Sequence, residues 1–193
     1  MLRDNDFRPE NGSNTMAHLK TLAVNATLLD LFQAYPRLAR LSSALAQEIL
    51  RAPGELSASE RELLFAFGSG VNACHFCVGA HSAVAERMGV APGVIEAALI
   101  DIASAPVDER LKPLLHFVKK LTETPSRIAD ADADAVRAAG WSDAALHEVI
   151  VVCALQNFFN RWVDGAGVDA DREFFAGIAE RLAKDGYQAP AAE

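Results

Sequence analysis

Two cysteines and a histidine form the group of residues in this sequence best suited to redox chemistry. Cys74 and Cys77 are separated by two residues, and His81 follows Cys77 after three more. On a helix these spacings place all three side chains on one face. Asn72 is predicted to cap this helix, which puts Cys74 in its first turn and Cys77 about one turn in. Free N–H groups and the helix dipole stabilise a thiolate there, and the thiolate is the reactive form.

Glu62 joins this group if the cysteine helix and the helix before it form a hairpin that turns near Asn72. Glu62 lies ten residues before Asn72 and His81 nine residues after it. Both are then about 14 Å from the turn and face each other at one height. An acid in this position orients the imidazole and tunes its basicity, so that the histidine can exchange a proton with Cys77.

Other interpretations of the same residues stay open. Zinc accepts thiolates, an imidazole and a carboxylate, so the four residues could form a zinc site. Structural zinc sites more often draw ligand pairs from separate loops, whereas the apolar flanks here indicate a partly buried helix. The pair could also be inert core cysteines, as Cys153 is predicted to be within the apolar run 149–155. Covalent haem attachment is excluded because the pattern is not Cys-x-x-Cys-His.

Composition argues against several classes of partner. The chain has 193 residues, 51% of them hydrophobic, and a formal net charge of −8. Without a dense basic run, nucleic acid and anionic membrane surfaces are not expected partners. No segment reaches the roughly 18 apolar residues of a membrane span, and the N-terminal residues lack the apolar core of a secretory signal. Three cysteines without an export signal indicate a cytoplasmic protein rather than a disulfide framework.

Helical periodicity recurs along almost the whole sequence, and no segment alternates as a half-buried strand does. We therefore expect an all-α protein. Ser57 and Glu60 have the spacing of a capping box, and Pro36 suits the first turn of a helix. Gly140 is a plausible helix end. Helices are predicted over residues 27–35, 36–51, 57–70, 73–87, 91–102, 108–123, 130–139, 142–164 and 169–184.

The domain organisation is predicted to be simple. Residues 1–18 are polar and are expected to form a mobile tail. Residues 19–187 are expected to form a single helical domain, since no linker long enough to divide it occurs. Residues 188–193 are expected to form a short C-terminal tail.

The pattern around the cysteines resembles that of a known family. The segment Leu-Ser-x-x-Glu-Arg-Glu ends at Glu62, and Cys-x-x-Cys-x-x-x-His follows after eleven residues. This pattern is similar to the core of alkyl hydroperoxidase D, in the carboxymuconolactone decarboxylase-like superfamily. Residues 108–121 and Asn157-x-x-Asn160-Arg161 resemble the peroxidase-related branch. The resemblance covers residues 20–185.

The resemblance implies an alkyl hydroperoxidase D-like bundle of helical hairpins that assembles into homo-oligomers. It implies that Cys77 reacts with the peroxide and that Cys74 is the more accessible resolving thiol. Glu62 and His81 match the proton-relay positions. The implied function is a thiol-dependent hydroperoxide reductase, an antioxidant activity like that of peroxiredoxins. No bound cofactor or metal is implied, and the electron donor would be an external dithiol, of lipoyl type or another small dithiol.

One position departs from the best-studied branch, which has a histidine directly before the second cysteine. Phe76 takes that position here, and His75 lies one residue earlier. One step along a helix turns a side chain by about 100°, so His75 is not expected to substitute. Two other functions therefore stay open: a thiol–disulfide oxidoreductase or redox sensor without efficient peroxide turnover, and a zinc-binding or structural module. The decarboxylase branch generally lacks this cysteine pair, so that reaction is not expected.

A polar face follows the apolar run around Cys153. Asn157, Asn160 and Arg161 share one side of a predicted helix by their spacing. This face is predicted to form a buried hydrogen-bond cluster or a subunit contact.

Overall fold

The computed structural model describes residues 17–188. The predicted N-terminal tail falls almost wholly on residues 1–16, which lie outside the described part, as do residues 189–193. Between residues 17 and 188 the chain forms nine α-helices, two short 3₁₀ turns and no strand, which confirms the all-α prediction. The helices are α1 (Leu28–Ala34), α2 (Pro36–Arg51), α3 (Ala58–Val71), α4 (His75–Arg87), α5 (Val94–Ile100), α6 (Lys112–Glu123), α7 (Asp130–Ala138), α8 (Asp143–Ala166) and α9 (Arg172–Asp185), with 3₁₀ turns at Glu109–Leu111 and Pro125–Arg127.

Local sequence signals set most of the helix ends. α2 begins with Pro36, whose missing N–H costs nothing at a first helical position. α3 has the predicted capping box, in which the Glu60 N–H donates to Ser57 Oγ at 3.2 Å and the Ser57 N–H donates to the Glu60 carboxylate at 2.6 Å. Gly140 follows α7 with a φ of 88°, and Gly167 ends α8 with a φ of 69°. Glycine adopts this left-handed conformation without steric cost.

The start of α4 differs from the prediction. α4 begins at His75, because Ala73 takes a left-handed conformation with a φ of 56° and interrupts the helix. Asn72, predicted to cap α4, instead ends α3. Cys74 occupies the N-cap position of α4. α5 is also shorter than predicted, because Gly93 immediately before it is left-handed with a φ of 81°.

α3 is the central helix of the described domain. Its nine consecutive residues 61–69 are all buried, and it packs against α4, α5, α6 and α8. A helix enclosed on every side needs apolar residues all round, which explains the run Leu-Leu-Phe-Ala-Phe after Glu62. α9 packs along α4. At that contact Gly79 of α4 lies so close to the Phe175 ring that a Cβ would overlap it.

A polar cluster lies between the end of α3 and the middle of α8. Asn160 is 1% exposed, accepts from Asn72 Nδ2 at 2.9 Å and donates to Ser69 Oγ at 3.0 Å. Asn157 accepts a second bond from Asn72 at 3.1 Å, and Arg161 donates to Asn157 Oδ1 at 2.6 Å. The predicted hydrogen-bond cluster is thus present, but of the three predicted residues only Asn160 is buried, and Arg161 is exposed. The cluster fixes the end of α3 directly before the cysteine pair.

A partly buried ion pair joins α3 to α8, and its carboxylate also holds the loop between α2 and α3. Arg61 is 3% exposed and its Nη2 lies 2.7 Å from Glu148 Oε2. The same carboxylate accepts the backbone N–H groups of Glu55 and Leu56 at 2.8 and 3.1 Å. Because each charge has a partner, the loop is held against α8 without an isolated buried charge.

Between residues 17 and 188 no single helix is both long and apolar enough to cross a membrane. α7 and α8 meet the requirement for length and composition when taken together, but the chain bends by 120° between them.

Candidate active site

The α3–α4 hairpin brings Glu62 and His81 into contact. His81 Nδ1 lies 2.6 Å from Glu62 Oε2, as expected from their similar distances to the turn. The Glu62 side chain is fully buried and that of His81 is 12% exposed. Phe65 stacks on the imidazole, with ring centroids 3.5 Å apart. The imidazole is therefore fixed by a carboxylate at its edge and an aromatic ring on its face, and its Nε2 is the nitrogen left to act on a neighbour.

Both cysteines of the pair lie at the start of α4. Cys74 is the N-cap residue and Cys77 the third residue of the helix, so Cys77 lies in the first turn among the free N–H groups. His81 follows Cys77 by one turn on the same face. All three cysteines carry free thiols, and Cys153, 1% exposed, is a core residue as predicted.

The expectation that Cys74 is the more accessible thiol is wrong for this chain. Cys74 is 0% exposed and Cys77 is 3% exposed. Both cysteines pack into the main apolar core, so neither thiol faces solvent.

Cys74 is held as a neutral thiol. A hydrogen bond with Cys77, together with burial, raises the pKa of the Cys74 thiol well above its ordinary value. The charge of Asp164, near the end of α8, also raises the pKa of the Cys74 thiol. Burial and the neighbouring Asp169 carboxylate raise the pKa of Asp164, while the bond from Cys74 opposes that rise. Cys74 therefore keeps its proton and can share it with the Cys77 sulfur.

Two residues that the sequence interpretation missed complete the surroundings of Glu62. Arg51 Nη2 lies 2.6 Å from Glu62 Oε1. The Tyr187 hydroxyl donates to the same oxygen at 2.9 Å. Arg51 ends α2 and Tyr187 follows α9. Neither shares a helix or a local spacing with the cysteines, so the sequence pattern contained no signal for them.

The environment of Glu62 favours the carboxylate anion in spite of its burial. Burial alone would raise the pKa of Glu62. The charges of His81 and Arg51 outweigh burial, aided by hydrogen bonds from His81 and Tyr187, and hold the pKa of Glu62 below its ordinary value. Burial, followed by the charge of Glu62, raises the pKa of Tyr187 well above its ordinary value, so Tyr187 remains a hydroxyl donor.

His75 has a different partner. Its Nδ1 lies 2.8 Å from Asp169 Oδ1 on the segment between α8 and α9, and its side chain is 32% exposed. Phe76, 4% exposed, packs against Phe174 and Phe175 with ring centroids 6.1 and 5.4 Å apart. His75 is thus engaged outside the buried histidine–carboxylate pair, as expected from the turn of one residue along a helix.

No group of three or more His, Cys, Asp or Glu side chains in residues 17–188 is arranged to hold a metal ion. The zinc alternative required Glu62 as a ligand. Glu62 Oε1 is engaged by Arg51 and Tyr187, and Oε2 by His81. The arrangement instead places an acid–histidine pair one turn from a thiol, which is a geometry for moving a proton.

Comparison with known proteins relates this hairpin to a family. Residues 36–120 match the model of the carboxymuconolactone decarboxylase family. This match covers 85 of the 193 residues, so this part of the chain is similar to that family. The matched segment includes Glu62, the Cys74–Cys77 pair and His81. Among curated proteins no match is found.

Solved structures show the same fold. One is an alkylhydroperoxidase AhpD core, an uncharacterized peroxidase-related protein from Ralstonia eutropha JMP134, with a TM-score of 0.72 and 24% identity over 77% of this chain and 78% of that one. An uncharacterized peroxidase-related protein from Silicibacter sp. TM1040 has a TM-score of 0.68 and 21% identity over 88% and 97%. A protein of unknown function from Agrobacterium tumefaciens has a TM-score of 0.61 and 23% identity over 73% and 95%. The described residues therefore have the predicted alkyl hydroperoxidase D-like fold.

Proposed function

We propose that this protein is a thiol-dependent hydroperoxide reductase. The observation that carries the proposal is the buried contact between Glu62 and His81, one helical turn after Cys77. A histidine oriented by a carboxylate can take the proton of a neighbouring thiol and return it to a leaving group. The match to the carboxymuconolactone decarboxylase family model and the peroxidase-related descriptions of the Ralstonia and Silicibacter proteins support the same chemistry.

The proposed reaction begins at Cys77. His81 accepts the proton of the Cys77 thiol, and the thiolate attacks the O–O bond of ROOH. Cys77 becomes a sulfenic acid, and the proton returns from His81 to the leaving alkoxide, which departs as ROH. The Cys74 thiol then attacks the sulfenic acid, releasing water and forming a Cys74–Cys77 disulfide. An external dithiol reduces this disulfide by exchange and leaves oxidised as its own disulfide.

The burial of both thiols favours small substrates over large ones. With Cys74 at 0% and Cys77 at 3% exposure, a small hydroperoxide reaches the sulfur with less movement of the protein than a folded protein disulfide needs. We therefore expect peroxide reduction rather than general disulfide exchange. The oxidising substrates that we expect are small organic hydroperoxides or hydrogen peroxide.

The test is stopped-flow oxidation of the reduced, metal-free protein by cumene hydroperoxide, with the Cys74–Cys77 disulfide followed by mass spectrometry. We expect rapid disulfide formation, no disulfide in Cys77→Ser, and a sulfenic acid that dimedone traps in Cys74→Ser. His81→Asn is expected to slow the reaction about 100-fold or more, the usual contribution of a general acid–base group. Cys153→Ser is the matched control and should leave the rate unchanged.

Survival of both thiols in a large excess of peroxide would refute the proposal. Reduction of a model disulfide by such a peroxide-resistant protein would then indicate a thiol–disulfide oxidoreductase. Stoichiometric zinc binding without redox cycling would indicate a metal-binding module.

A further inference from the structure

Four segments of the chain meet at the Glu62 carboxylate. Glu62 comes from α3 and His81 from α4, while Arg51 ends α2 and Tyr187 follows α9. Arg51 and the Tyr187 hydroxyl share Oε1 at 2.6 and 2.9 Å. His81 Nδ1 is 2.6 Å from Oε2 and 3.3 Å from the Tyr187 oxygen. The histidine therefore shares its carboxylate with a guanidinium and a phenol.

The charges in this cluster affect how readily the His81 imidazole takes up a proton. A wholly buried carboxylate needs a compensating charge. If His81 were its only partner, the pair would be most stable as an imidazolium–carboxylate ion pair, and the imidazole could accept no further proton. Arg51 supplies a permanent positive charge on the opposite oxygen, since its guanidinium does not lose its proton in proteins. Part of the positive charge that stabilises Glu62 therefore comes from Arg51 and not from His81 alone.

We infer that Arg51 and Tyr187 are positioning residues that share the negative charge of Glu62 with His81, and that they thereby set how readily the imidazole takes up and releases the proton of Cys77. This inference rests on the proposed function for its catalytic meaning. The charge distribution itself is a property of the resting protein. Arg51 repels a proton on the neighbouring imidazole, and the Tyr187 hydroxyl donates a hydrogen bond that spreads the negative charge of Glu62 away from His81.

Arg51 and Tyr187 also make contacts that stabilise the packing of the helices, and a purely structural role would explain these contacts. Arg51 Nη2 donates to the Leu182 carbonyl at 3.1 Å, and the Tyr187 N–H donates to Gln47 Oε1 at 2.7 Å. The guanidinium carbon lies 4.9 Å from the centre of the Tyr187 ring. These contacts fasten the segment after α9 to α2. If they were the whole role of Arg51 and Tyr187, substitutions would change stability and leave the imidazole unaffected.

The decisive readout is therefore the titration of the His81 ring, followed by NMR in the full-length, reduced protein labelled at histidine and assigned with His81→Asn. In Arg51→Met we expect the pH midpoint of this ring to rise by about one unit or more, because a nearby positive charge is lost. Arg51→Lys keeps the charge and should retain most of the original midpoint. Tyr187→Phe removes one hydroxyl and should shift the midpoint in the same direction by less.

Arg87→Met is the matched control. Arg87 also bridges to α9, through a 3.9 Å contact with Glu180, but both side chains are more than half exposed, at 57% and 77%. It should leave the His81 midpoint unchanged. In the peroxide reaction, the acid limb of the pH–rate profile should move to higher pH in Arg51→Met, while the rate at high pH stays close to the original.

The outcomes separate this inference from the proposed function. An unmoved midpoint in folded Arg51→Met, or in folded Tyr187→Phe if the arginine variant does not fold, overturns the inference even if the protein reduces peroxides. A raised midpoint supports it. A raised midpoint in a protein that does not react with peroxide refutes the proposed function alone, because the NMR titration needs no peroxide.

Discussion

Arg51 and Glu62 form a 2.6 Å ion pair in which the carboxylate is wholly buried and the guanidinium side chain is 10% exposed. Removing one partner of such a pair strands the other charge, which typically costs about 3–5 kcal/mol. The guanidinium Nε is also buried without a hydrogen-bond partner among residues 17–188. Substitution of either residue is therefore expected to affect the stability of the fold as well as the candidate site.

Glu62→Gln is accordingly expected to lower the free energy of unfolding by a few kcal/mol, because the Arg51 charge loses its counter-charge. The double variant Arg51→Met/Glu62→Gln should be less destabilised than the sum of the two single variants. Urea denaturation of all four proteins measures this coupling. Additive losses would show that the two side chains do not compensate each other.

Stability is expected to fall steeply in acid. The pKa of Glu62 and that of Glu148 lie below the ordinary value of 4.5, since donors and nearby cations outweigh burial at both carboxyl groups. The unfolded chain then binds more protons than the folded one, so stability is complete above pH 4.5 and is lost as the pH falls through the folded pKa values. Urea denaturation at a series of pH values measures how the free energy of unfolding changes with pH.

Glu148→Gln should reduce the acid dependence, because one of the two carboxylates no longer titrates. Glu48→Gln is the control, since Glu48 is exposed on α2. An equal slope in Glu148→Gln and the unsubstituted protein would contradict the assignment of Glu148 to the acid transition.

The contact between α4 and α9 predicts opposite effects for two glycine substitutions. Gly79→Ala would place a Cβ inside the Phe175 ring, so α9 must move, at a cost of about 1–3 kcal/mol. In Gly177→Ala the Cβ meets no atom within 4 Å on the exposed face of α9, and we expect a gain of about 0.5–1 kcal/mol. Thermal unfolding compares the two. A stabilised Gly79→Ala would show that α9 does not pack against α4 at this point.

The left-handed Ala73 predicts a stabilising substitution beside the cysteine pair. A side chain in this conformation is strained, whereas glycine adopts it freely, so Ala73→Gly should gain about 1 kcal/mol and raise the Tm by roughly 2–4 °C. The same change at Ala176, exposed within α9, should lower the Tm, because glycine weakens a helix interior. A lower Tm in Ala73→Gly would contradict the left-handed turn before Cys74.

The helices could be predicted because their signals are local. A capping box at Ser57 and a proline at position 36 act within a few residues, and they set the helix starts where expected. The predicted start of α4 is two residues too early, because nothing in the sequence distinguishes a left-handed alanine from a helical one. Ala73 is held there by its neighbours, whose hydrogen bonds to α8 depend on the tertiary fold.

The candidate site likewise contains one contact that the sequence could predict and others that it could not. The contact between Glu62 and His81 follows from counting along one hairpin, so the sequence could predict it. Arg51 and Tyr187 could not be found, because they approach Glu62 only after α2 and α9 have packed against the hairpin. The burial of Cys74 was missed for the same reason, since what covers a thiol is decided by distant parts of the chain.

The meeting of distant segments at Glu62 has an evolutionary consequence. Glu62 and Tyr187 are 125 positions apart along the chain, yet one oxygen atom joins them. A lineage that loses the tyrosine must supply another donor or alter the acid, so positions 51, 62 and 187 should vary as a correlated set among homologues. Homologues that keep both cysteines and the histidine but break this correlation should have diverged in the pH range over which they work.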